Sequence, residues 1–91
     1  MRRPVAYRVP FDLERGPGHL YRFTNASDEV VRGLSLTLHG SGIMAANAPR
    51  TLAPGETLEV EIAGRHLARD AILVLRWFRP DGAEYLWRVS F

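Results

Sequence analysis

The segment GLSLTLH, residues 33–39, places a leucine at every second position. That spacing constrains the chain more than any other feature. A strand sends successive side chains to opposite faces, whereas a helix gathers every third or fourth residue on one side. TLEVEIAG (57–64) repeats the pattern, with Leu58, Val60 and Ile62 on one side and Glu59 and Glu61 on the other. PVAYRV (4–9), HLYRFTN (19–25), AILVLRWFR (71–79) and AEYLWRVSF (83–91) extend it. No segment sustains a helical period, and GRHLARD (64–70) offers one helical turn at most.

Turn chemistry separates these segments. ERGPG (14–18), NASDE (25–29), the Pro54-Gly55 pair and Pro80-Asp81-Gly82 all favour reversal, and GSGIMAANAPR (40–50) is a long loop of small residues. Alternating segments of this length with turns between them predict an all-β fold. The expectation is one domain over residues 1–91, a seven-stranded antiparallel sandwich with strands near 4–9, 19–25, 33–39, 50–53, 57–63, 71–79 and 83–91.

Parity fixes the register of the last two strands. Residues opposite one another in an antiparallel pair share a face. A three-residue Pro80-Asp81-Gly82 loop, with Gly82 left-handed, sets Phe78 against Glu84, Trp77 against Tyr85 and Leu75 against Trp87. Leu73, Leu75, Trp77, Tyr85, Trp87, Val89 and Phe91 then share the inner face. A four-residue loop would oppose Leu75 to Arg88 and carry a charge into the core. The shorter loop is therefore expected.

Two motifs, FTNASDE and LAPGETLEVEI, resemble bacterial immunoglobulin-like sandwiches of the CARDB and fibronectin-type-III-like kind. In those domains an Asn near the end of the second strand opens a turn, here Asn25. A Leu-x-Pro-Gly segment, here Leu52-Ala53-Pro54-Gly55-Glu56, introduces a later strand. The resemblance covers residues 19–91 and implies an immunoglobulin-like fold with a binding or spacer role rather than catalysis.

Candidate sites follow from the faces. The chain has no cysteine, which excludes thiolate metal sites and disulfides. His19, His39 and His66 are too far apart in sequence for a ligand motif, so no metal, cofactor or catalytic residue is expected. Ser41, His39 and Asp70 form a nominal triad but lack the strand-to-helix elbow that activates such a serine. Asn25-Ala26-Ser27 matches a glycosylation sequon but reads as turn chemistry. All 12 basic residues are Arg and the net charge is only +2, so nucleic-acid binding through Arg76, Arg79 and Arg88 beside Phe78 ranks last. No membrane span or secretory leader is legible, and a cytoplasmic location is the expectation.

The outward face of the final hairpin is unusual. It presents Ile72, Val74, Arg76, Phe78, Glu84, Leu86 and Arg88, of which four are large and apolar. Exposed apolar surface rimmed by charge marks an interaction site. The expected role is a protein-interaction module, through a protein partner or an isologous homodimer that buries Ile72, Val74, Phe78 and Leu86. A carbohydrate or other small ligand is the alternative. Coverage of the same face by Ile43 and Met44, from the 40–50 loop, is the competing outcome within one chain.

Overall fold

Alternation becomes two antiparallel four-stranded sheets packed face to face in the computed structural model, which describes residues 7–44 and 48–91. The elements are β1 (Phe11–Arg15), β2 (Leu20–Asn25), β3 (Val31–Gly40), β4 (Ile43–Met44), β5 (Arg50–Leu52), β6 (Thr57–Ala63), α1 (Leu67–Asp70), β7 (Ala71–Phe78) and β8 (Glu84–Ser90). One sheet runs β1-β2-β6-β4 and the other β5-β3-β7-β8. The fold is an all-β sandwich.

Each sheet contributes one apolar face to the core. Phe23, Leu58, Val60 and Ile62 come from the first sheet, and Leu34, Leu36, Leu73, Leu75 and Trp77 from the second. The β7–β8 register pairs Phe78 with Glu84, Trp77 with Tyr85 and Leu75 with Trp87, as parity requires. Gly82 closes the turn at φ +88°, and the Arg79 N–H donates to the Ala83 carbonyl at 2.9 Å.

The start of the chain departs from expectation. Residues 1–6 lie outside the described residues, and Tyr7, Arg8 and Val9 are not in a strand. The first strand is instead FDLER, where Phe11 and Leu13 pack inward while Asp12 and Glu14 face out. Pro10 separates the two alternating runs, and its missing N–H favours a break there. The ERGPG turn is correspondingly shorter, because Glu14 and Arg15 pair with Arg22 and Tyr21.

The 40–50 segment likewise contains more order than its composition suggests. Ile43 and Met44 pair with Ala63 and Ile62 at the edge of the first sheet. The chain then returns to lay β5 along the start of β3.

One irregularity in β3 positions the outer surface. Arg32 pairs with Phe78 while Ser35 pairs with Arg76, so β3 carries one extra residue between them. Gly33 accommodates this bulge at φ +57°. Val31 and Leu34 both reach the core despite their odd separation. A Cβ at Gly33 would stand 3.0 Å from Phe78, so the bulge also seats that ring.

Candidate functional site

The outward surface of β3, β7 and β8 forms the candidate interaction face. Antiparallel registers set Ser35, Thr37 and His39 of β3 beside Arg76, Val74 and Ile72 of β7. On the other side Ile72, Val74, Arg76 and Phe78 neighbour Ser90, Arg88, Leu86 and Glu84 of β8. All seven sequence-derived face residues therefore lie on one continuous surface.

Their exposure is uneven. Leu86 is 62% exposed and Ile72 42%, while Val74 and Phe78 are half-buried. Phe78 sits lower because Gly33 gives it room and Arg76 lies over its ring, 5.2 Å from the centroid. Ile43 and Met44 do not cover this face, because their pairing with β6 holds them on the opposite sheet.

Charge is partly neutralised within the face. Arg76 donates to Glu84 across the diagonal at 3.2 Å, an exposed pair with little stabilising value but a fixed position. Arg88 has no ion-pair partner among the described residues. Arg88 also borders a shallow depression of about 170 Å³ lined by His39, Ile72 and Val74. The face is thus apolar at its centre with a surplus of positive charge.

The opposite sheet presents a contrasting surface. Asp12, Glu14, Glu59 and Glu61 face solvent there, with Arg22 bound to Glu59 at 3.0 Å. That face is acidic, polar and solvated.

Arg79 does not join Arg76 and Arg88 in one stripe. It follows the inward parity of Trp77, and its guanidinium lies 4.2 Å from the Tyr7 ring centroid. It binds Glu29 through two hydrogen bonds, at 3.0 and 2.5 Å. The guanidinium holds the Glu29 carboxylate below its ordinary value of 4.5, and Glu29 in turn raises the pKa of Arg79. Burial pushes the Tyr7 hydroxyl above its ordinary value. Extending the hairpin parity by one pair, to Arg79 and Ala83, is the signal that identifies this inward arginine.

The Glu29 shift has a direction with pH. A carboxylate bound more weakly to protons in the folded state stabilises that state fully above its unfolded pKa. The contribution then disappears as pH falls through the depressed folded value. Acid titration of thermal stability is expected to show a decline below about pH 4.5 that Glu29→Gln makes shallower. An identical acid limb in the variant would contradict this assignment.

Among the described residues Asn25 is the most buried polar side chain, at 0% exposure. Its amide donates to the Glu29 carbonyl at 2.8 Å and the Leu52 carbonyl at 3.0 Å. Its Oδ1 accepts from the Ser27 N–H at 3.0 Å and the Ser27 hydroxyl at 2.7 Å. The Asn25 backbone meets the Pro-Gly turn, accepting from Gly55 at 2.7 Å and donating to Glu56 at 2.9 Å. The two sequence motifs thus touch, and in the folded chain the sequon amide is occupied in structure.

The remaining candidates stay apart. His19, His39 and His66 are each exposed and lie on different elements, and the described residues contain no group of three potential metal ligands. Ser41 and Asp70 meet through their backbones at 3.1 Å, and no side-chain hydrogen bond joins them to His39 among the described residues. No described helix is long and apolar enough to cross a membrane. No protein-family model, curated protein or solved structure matches the chain.

Proposed function

We propose that this chain is a non-catalytic protein-interaction module of the immunoglobulin-like class, self-associating through the outward side of the β7–β8 hairpin. One observation carries the reading: Leu86 and Ile72 stand 62% and 42% exposed on a face rimmed by arginines. Isolated exposed apolar residues are ordinary, but several on one flat sheet surface favour a partner. The strand order supports the immunoglobulin-like assignment. With β5 set aside, β1-β2-β6-β4 and β3-β7-β8 follow the A-B-E-D and C-F-G orders of that architecture. The carbohydrate alternative draws less support, because Trp77, Tyr85 and Trp87 pack on the inner side and the outward ring of Phe78 is half-buried with Arg76 lying over it.

Sedimentation equilibrium tests the proposal. The wild-type chain is expected to dimerise in the micromolar range, and Leu86→Asp to weaken that association about tenfold or more by placing one carboxylate from each copy at the contact. Circular dichroism of the variant should match the wild type, since Leu86 is largely exposed in the single chain. A wild type that remains monomeric at high micromolar concentration ends the proposal.

A further inference from the structure

We infer that two copies join edge to edge along β8 in one register, Leu86 against Leu86 of the second copy, giving a continuous eight-stranded sheet. This inference rests on the self-association proposed above but moves the contact from the outward face to the β8 edge that borders it, with Leu86 common to both arrangements.

The four sheet edges differ in protection. β4 and β5 span only two and three residues, and β1 turns Asp12 and Glu14 outward. β8 runs seven residues with no Pro, Gly or bulge, and its pairing to β7 is unbroken from Ile72–Ser90 to Phe78–Glu84. Such an edge is a template for another strand.

The hairpin dictates which backbone groups remain. Arg79 and Ala83 form a hydrogen-bonded pair, so alternation gives β7 the groups of Tyr85, Trp87 and Val89. The N–H and C=O groups of Glu84, Leu86 and Arg88 consequently point away from β7, to an edge that has no further strand among the described residues. No other backbone hydrogen bond reaches them among the described residues.

Two-fold antiparallel pairing must match these groups with their own counterparts. Centring the axis on Leu86 sets Glu84 opposite Arg88 of the second copy, twice. On the inner side it sets Tyr85 opposite Trp87, also twice. Both are favourable cross-strand pairs. Arg88, which has no ion-pair partner among the described residues, would gain one. Tyr85 and Trp87, half-exposed although they face the core side, would gain a neighbouring strand. Face-to-face docking offers less, because each face carries Arg32, Arg76 and Arg88 against the single Glu84. Stacking them would bring like charge together.

Cross-linking distinguishes the geometries, since the chain has no native cysteine. Leu86→Cys puts the two thiols on the axis, where paired Cα atoms about 5.5 Å apart lie within disulfide range. Ile72→Cys puts them on β7, far from their counterparts in the edge-paired sheet. Oxidation is expected to link Leu86→Cys efficiently and leave Ile72→Cys unlinked. Glu84→Arg or Arg88→Glu alone should weaken association about tenfold or more, and the double exchange should restore it. Efficient linking of Ile72→Cys without Leu86→Cys would overturn the edge geometry while leaving self-association in place. A dimeric wild type whose charge exchange shows no rescue would overturn the register. A monomeric wild type would overturn both this inference and the reading beneath it.

Discussion

Trp77→Ala is expected to destabilise the sandwich by about 3–5 kcal/mol, the usual penalty for emptying a large aromatic core site. Trp77 is 1% exposed and lies where both sheets meet. Its ring takes the edge-to-face contact of Phe11 at 5.0 Å and stacks with Tyr85 at 6.1 Å. Its indole N–H donates to the Tyr7 hydroxyl at 3.1 Å, so truncation also removes one of the contacts that hold the segment before β1. Small domains have only about 5–15 kcal/mol of total stability, and a loss of this size therefore consumes much of it. Urea denaturation should show a lower midpoint with a similar slope. Trp77→Phe, which keeps most of the volume but not the donor, should cost less. A near-neutral Trp77→Ala would contradict the packing described here.

The second large effect is expected at Asn25. Replacement by Ala removes the side-chain donor to the Leu52 carbonyl and the side-chain acceptor of the Ser27 N–H, and it leaves the Glu29 carbonyl with only the longer 3.2 Å bond from the Ser27 hydroxyl among the described side chains. Each buried polar group deprived of a partner costs about 1–3 kcal/mol, and partial compensation by water brings the expected total to about 3–4 kcal/mol. Asn25→Asp is more diagnostic. The carboxylate matches the amide in shape but offers no donor, and it meets two carbonyl oxygens at a fully buried position. At neutral pH it should destabilise at least as much as Ala. Protonation restores one donor, so the difference from wild type should narrow as pH falls. A pH-independent deficit in Asn25→Asp would contradict this account, in which the ionised carboxylate lacks the two donors of the amide.

Different parts of this architecture were legible to different degrees. The β7–β8 hairpin could be placed residue by residue, because one side is apolar at Leu73, Leu75 and Trp77 and the loop length must preserve that side. The outward residues follow from the same parity, which makes the candidate face readable from the sequence. The start of β3 was not. Its register depends on a bulge at Gly33, and a single glycine in an alternating run does not reveal which strand carries the extra residue. The sequence reading places the first strand at PVAYRV, although FDLER alternates as well. Pairing with β2 selects the second, and that partnership is tertiary information. The two residues of β4 carry too little pattern to be read at all. Proximity in sequence to Arg76 suggests a shared surface for Arg79, whereas the strand alternates the two to opposite sides.

The nonconsecutive strand order has a consequence for the chain as it is synthesised. β3 ends at Gly40, but its long neighbour β7 begins only at Ala71. At about 5–20 residues per second, a ribosome needs about 2–6 s to make the intervening segment. Throughout that interval the leucine-rich ribbon of β3 has no long partner within its own polypeptide, and β5 can shield only its beginning. The same delay applies to β2, whose central neighbour β6 starts at Thr57. Closure of both sheets therefore waits on the second half of the chain, and an emerging copy carries unpaired strand edges until that half is made.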